Sequence, residues 1–211
     1  MKKLTFLMCA LAFLFNANAQ EPQFVSKEQQ NRNVLIEEFT GRNCGYCPDG
    51  HKVANKISQD NPGRVWAVNI HGGGYSPTTY PNLNTTDGNV ISGGFSVASY
   101  PAGVVNRSTA GSVDRGQWTS LSNTQLAQTA EVNVGGQAVI NPVSRTATIT
   151  VEAYYTADSK ESTNYLTVMM LEDSIFGAQS GSTMNPSQII NGEYCHMHVL
   201  RDVVTEAWGE Q

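Results

Sequence analysis

The sequence predicts an α/β unit followed by a β-rich region, and three observations carry that prediction. An apolar run, Val34-Leu35-Ile36, leads through Glu37-Glu38-Phe39 to two cysteines spaced two residues apart, Cys44 and Cys47. A helix-like segment, His51 to Ser58, follows them, and a second apolar run, Val65 to Ile70, comes next. From Ala130 onward the pattern changes to β-branched and aromatic runs separated by polar turns, which is strand composition.

Ahead of this core, Met1 to Ala19 reads as a secretory signal. Lys2 and Lys3 form its positive end, Leu4 to Phe15 its apolar stretch, and Ala17-Asn18-Ala19 a small-x-small cleavage site. The apolar stretch is too short to span a bilayer as a helix. Cys9 lies inside it, preceded by Met8 rather than by the small residue expected before a lipidated cysteine, so it is expected to leave with the signal. Losing Lys2 and Lys3 moves the net charge from −5 to −7. That acidity argues against a nucleic-acid surface, which needs a clustered basic stripe. No later run approaches the length of a transmembrane helix. The mature chain is therefore expected to be extracytoplasmic, in the periplasm or associated with the outer membrane.

Gln20 to Asn33 is a polar lead-in. Val34 to Phe39 is a buried-type strand, and Cys44 to about Gln59 a helix that the Asn61-Pro62-Gly63 turn ends. Val65 to Ile70 is a second strand. His71 to Gly94 is rich in Gly, Ser, Thr, Asn and Pro, too long for a simple connection, with room for short helical turns. Tyr100 to Arg107 reads as a Pro-led strand and Asp114 to Thr129 as a helix with Asp114 as N-cap. These elements make up one domain, residues 34–129. Val132 to Val139, Thr146 to Tyr155, Tyr165 to Leu171 and His196 to Leu200 are the strands of a second, residues 130–211. About four strands give only a small, open-edged sandwich, so the expectation is a fragment or an incomplete β region.

The chemistry centres on the cysteine pair. A cysteine at the first turn of a helix faces unpaired N–H groups and the positive end of the helix dipole, both of which favour thiolate. A second cysteine one turn on can attack the mixed disulfide formed by the first. Three cysteines remain after the signal: Cys44 and Cys47 are the natural pair and Cys195 is left over. The same pair also reads as an inert structural disulfide. His51, one turn after Cys47, is expected to be solvated. Cys195-His196-Met197-His198 sets alternate residues on one strand face, and with Cys44 and Cys47 would reach the ligand count of zinc. No second paired motif accompanies it, and no metal or other cofactor is expected. Asp173-Ser174-Ile175 matches a three-residue O-glycosylation pattern, which is short enough to arise by chance.

Two resemblances extend this reading. Val34 to Pro48 resembles the active-site strand and motif of thioredoxin-like proteins, and the order strand, CxxC helix, strand, Pro-led strand, helix is similar to that fold from about Asn33 to Thr129. More narrowly, three stretches resemble the twenty-eight-kilodalton outer membrane protein family of Bacteroidetes-type bacteria, whose members are often longer and several of them lipoproteins. They are Glu37 to Pro48, Tyr100-Pro101-Ala102-Gly103, and Tyr194 to Arg201 before Trp208-Gly209.

The thioredoxin-like resemblance implies Cys44 as attacking thiol, Cys47 as resolving thiol and Glu38 as a buried proton relay. Strand register decides whether Glu37 or Glu38 points inward. It implies Pro101 as a cis-proline, with Tyr100 before it, on the substrate-binding side. Gly45-Tyr46 matches neither the commonest reducing nor the commonest oxidising dipeptide, which leaves redox direction open. The implied activity is thiol–disulfide exchange on a cysteine-containing protein or peptide. The alternative is a surface or periplasmic binding protein whose CxxC is structural.

Overall fold

The computed structural model describes residues 24–211. The signal read in residues 1–19, Cys9 within it and the start of the lead-in lie outside the described residues.

Val34–Thr40 forms β1, Cys47–Asp60 α1 and Val65–His71 β2. They are followed by α2 (Thr86–Gly94), β3 (Ala102–Val105), β4 (Val113–Asp114) and α3 (Trp118–Leu126). A long hairpin, β5 (Val132–Asn141) and β6 (Thr146–Tyr155), precedes β7 (Met169–Glu172), β8 (Ile175–Gly177), β9 (Ile189–Ile190), β10 (Glu193–His196) and β11 (Val199–Val203). The main sheet has six strands in the order β4-β3-β1-β2-β11-β7. β1 and β2 run parallel, β3 is antiparallel to β1, and β11 is parallel to β2.

A central strand is buried on both faces, so β1 opens on the apolar run Val34-Leu35-Ile36 and keeps even Glu37, Glu38 and Thr40 out of solvent. Its side chains nevertheless sort by parity. Val34 and Ile36 join Ala54, Ile57 and Trp118 beneath α1 and α3, while Phe39 joins Ile70, Ile91 and Phe95 beneath α2. Helix α2 lies where the sequence suggested only short helical turns. Few apolar residues mark it, but the Thr85 hydroxyl accepts from Gly88 N (3.0 Å) and Ile91 is fully buried.

Residues 130–211 do not stack on themselves. They divide among three sheets. β7 and β11 complete the main sheet, with Leu200 and Val203 entering the core under α2. β8, β10 and β9 form a separate three-stranded sheet, and β5 and β6 a two-stranded one. The free edge of β2 explains the first of these: a strand with apolar residues at its buried positions satisfies that edge's backbone groups and extends the core together.

The β5–β6 hairpin is amphipathic. Its pairing places Val134, Ala138, Ile140, Ile149, Val151 and Tyr155 on one face and Asn133, Gln137, Thr148, Thr150 and Glu152 on the other. The lead-in binds the polar face: the N–H groups of Phe24 and Val25 donate to Glu152 Oε2, and Asn133 Nδ2 donates to the carbonyls of Ser26 and Glu28. The apolar face is largely exposed, with Ile140 at 72%.

Candidate functional site

Beyond β1 the chain turns sharply. Cys44 N donates to Gly41 O and Asn43 N to Tyr75 O, and this turn holds Cys44 ahead of α1, so the helix expected from Cys44 begins only at Cys47. Cys47 is the first residue of that helix and Pro48 follows it, where a missing N–H costs nothing. Cys44 and Cys47 are joined as a disulfide. Both are buried, Cys44 at 3% exposure and Cys47 at 0%.

β1 register separates its two glutamates. Glu37 faces the α2 side, where Arg107 holds it through two bonds of 2.7 and 2.8 Å and itself lies over the Trp208 ring. Glu38 faces α1. It is fully buried, and neither carboxylate oxygen has a hydrogen-bond partner. Burial pushes its pKa well above the ordinary carboxylate range, against a smaller lowering by Arg115. Gly50 makes room for it: a Cβ there would collide with Glu38 Oε1 and stand 2.8 Å from Pro101 Cβ. Glu38, Pro101 and the first turn of α1 at Gly50, three residues on from Cys47, therefore converge. The Tyr100–Pro101 peptide is cis, and the Tyr100 ring packs 5.5 Å from that of Tyr75. A second cis peptide, Tyr80–Pro81, had no counterpart in the sequence reading.

His51 is buried at 2% exposure, not solvated. The spacing of Cys47, His51, Ala54 and Ile57 follows one stripe of α1, and that periodicity was the available signal. Its Nε2 lies 2.8 Å from Thr40 Oγ1 and its Nδ1 2.7 Å from the Tyr194 hydroxyl. Because that hydroxyl donates to Gln188 Oε1 (2.8 Å), it accepts from His51 Nδ1–H, and Nε2 accepts from Thr40. His51 Nε2 also lies 3.8 Å from Glu38 Oε1, an ion-pair distance were both charged. Burial drives both toward neutrality, and the His51 pKa falls to about 3, with His196 adding to the fall.

A row of rings continues inward from His51 through Tyr194 and His196 to His71. Desolvation lowers the His196 pKa to about 4 and that of His71 well below its usual value. Cys195 is a buried free thiol beside the Met197 sulfur. His198 is half-exposed and sits 3.1 Å from Asp173. Among the described residues no group of three or more His, Cys, Asp or Glu side chains is placed to hold a metal ion.

Sequence reasoning missed the segment that lies over the disulfide turn. Ser180 N donates to Arg42 O (2.8 Å), and Gln179 Nε2 donates to the carbonyls of Gly41 and Cys44. The Arg42 side chain donates to the carbonyls of Ala178, Thr79 and Pro81. Gly181, at φ +68°, lies against the Gly45 carbonyl, where a Cβ would collide. Nothing in the sequence connects residues 178–184 with Cys44, since more than a hundred and thirty positions separate them.

Residues 89–211 match the family model described as "Outer membrane protein Omp28". Among curated proteins none matches the chain. Among solved structures the fold is similar to HBP35 of Porphyromonas gingivalis. The identity is 18% and the TM-score 0.67, over 86% of this chain and 59% of that one. It is also similar to protein AGR_C_4864 from Agrobacterium tumefaciens, at 13% identity and TM-score 0.54, over 83% of this chain and 73% of that one. The chain thus spans less than two thirds of the HBP35 chain's length.

Proposed function

The chain belongs to the Omp28 outer membrane protein family, which points to the cell envelope, and from that premise we propose an envelope binding protein whose CxxC is a structural disulfide. The 34–129 segment is read as a thioredoxin-like scaffold that the C-terminal strands complete. No helix among the described residues is long and apolar enough to cross a membrane.

One observation carries the reading. The Cys44–Cys47 bond is closed in, with a backbone segment docked across its turn through Gln179, Ser180 and Gly181. A disulfide that serves exchange needs one sulfur open to an incoming thiolate. This one is built into the framework. The exposed apolar face of the β5–β6 hairpin supports the binding role, because exposed apolar patches of this kind mark contacts with partners. The partner it suits is a protein that brings apolar side chains of its own.

A second reading, thiol–disulfide exchange on cysteine-containing protein substrates, is favoured by Glu38. A buried carboxyl with a raised pKa, next to Pro101 and below the CxxC helix, is what a proton relay for Cys47 would require, with Cys44 attacking and Tyr100 and Pro101 lining the substrate side.

Replacing both cysteines decides between them. In the structural reading Cys44→Ser with Cys47→Ser lowers unfolding stability by about 2 kcal/mol, the loop-closure term for so short a loop, and wild-type protein leaves insulin disulfides intact. Catalysed insulin reduction that disappears in the Cys44→Ser variant would establish exchange instead.

A further inference from the structure

The segment over the CxxC turn differs from the rest of the fold in how it is held. Ala178, Ser180, Gly181, Thr183 and Met184 are exposed, and only Gln179 inserts. None of residues 178–184 belongs to either hydrophobic cluster of the main sheet. What joins the segment to the Gly41–Cys44 turn is a short set of polar contacts: Gln179 Nε2 to Gly41 O (3.2 Å) and Cys44 O (3.1 Å), Ser180 N to Arg42 O (2.8 Å), and Arg42 Nε to Ala178 O (3.2 Å), while the turn Ser182–Met184 rests against α1. Segments with few buried apolar contacts open locally at much lower free energy than core strands and helices do. The disulfide, in contrast, is set between β1 and α1, both rooted in the core.

From this difference we infer that residues 178–184 are a strap whose local opening, rather than unfolding of α1 or β1, controls whether thiols reach the Cys44–Cys47 disulfide. The inference rests on the structural-disulfide reading and says what keeps that disulfide inert. Gly181 leaves no room for a side chain at this contact. Its backbone lies against the Gly45 carbonyl, inside the CxxC motif itself, so a side chain at position 181 cannot be accommodated while the strap is docked. Gln179 is the anchor, since its amide spans the carbonyls at both ends of the Gly41–Cys44 turn. With the strap away, an external thiolate attacks Sγ of Cys44, the cysteine that precedes the helix and whose carbonyl Gln179 covers, and Cys47 departs as thiolate. The second thiol of a dithiol reagent then displaces Cys44. The reagent is oxidised to its cyclic disulfide, and Cys44 and Cys47 are reduced to two thiols.

The experiment is the reduction rate of the purified protein under a fixed excess of dithiothreitol, followed by alkylation and mass counting. Gln179→Ala removes both anchor bonds, and Gly181→Val places a side chain against Gly45. Both variants are expected to reduce at least tenfold faster than wild type. The Ser180 amide should lose protection from hydrogen exchange while the amides of β1 and α1 keep theirs. A rate within twofold of wild type in both variants overturns the inference, and Gln179→Ala alone decides it if Gly181→Val fails to fold. Failure of the structural-disulfide reading is seen separately, as insulin reduction by the wild-type protein.

Discussion

His51 and Tyr194 lie 143 residues apart in the chain and share a hydrogen bond of 2.7 Å between ring Nδ1 and phenol oxygen. That bond joins the CxxC helix to the three-stranded sheet, and Gln188 and Asn185 extend it on the far side. Each half of the molecule thereby supplies part of the environment of the disulfide helix.

Tyr194→Phe removes the hydroxyl and leaves His51 Nδ1–H without its acceptor in a buried site. Leaving one such donor unpaired costs about 1–3 kcal/mol. The variant should unfold at lower urea with an unchanged denaturant slope, whereas an unmoved midpoint would mean the bond contributes nothing.

Acid should destabilise the fold through its buried imidazoles. The folded-state pKa of His51 is about 3 and that of His196 about 4, both below the usual 6.5. The unfolded chain therefore binds protons that the folded chain refuses. Stability is retained above about pH 6.5 and lost as pH falls toward those values. His196→Phe removes one of these groups, so its urea midpoint relative to wild type should rise between pH 7 and pH 4. A constant offset would show that His196 does not titrate this way.

Glu38 has the opposite sign. Its folded-state pKa is raised, so its contribution is present in full below the unfolded value of 4.5 and lost as pH rises through the folded value. Glu38→Gln keeps the shape without the charge. Relative to wild type, the variant should gain stability between pH 5 and pH 8, read again as urea midpoints. A difference that stays flat across that range would mean Glu38 is already ionised in the folded protein.

Much of the candidate site could be read in the sequence because its signals are local. The strand into CxxC, Pro48 at the helix start, and Tyr100-Pro101 before a strand are each contained in a few neighbouring residues. The assignment of Glu38 rather than Glu37 to the α1 side needed β1 register, which two adjacent glutamates do not reveal. His51 was legible as part of a buried stripe, but an isolated polar residue on a helix is ordinarily solvated, and Tyr194 is too distant in sequence to signal otherwise. The edge pairing of β11 with β2 and the docking of Gln179 on the Cys44 turn depend on tertiary closure. Helix α2 was hidden because Gly, Asn and Ser dominate it, so one Thr85 cap and one buried Ile91 had to outweigh poor helix propensity.

Arg107→Met tests the other glutamate. It strands the Glu37 carboxylate, 1% exposed, without its two-bond partner. Breaking a buried pair from one side costs about 3–5 kcal/mol. The expected loss is toward the lower end, because the arginine side chain is itself a quarter exposed. Glu37→Gln in the Arg107→Met background should recover part of that stability in thermal melts, and no recovery would place the loss in the Arg107–Trp208 contact instead.

The most direct measurement is the equilibrium of Cys44–Cys47 with glutathione in the purified protein, with thiols trapped and counted by mass. A framework disulfide stays oxidised across the glutathione range, corresponding to a potential below about −300 mV. Equilibration between about −120 and −270 mV, where exchange catalysts work, would contradict the structural role and make the pair a redox centre.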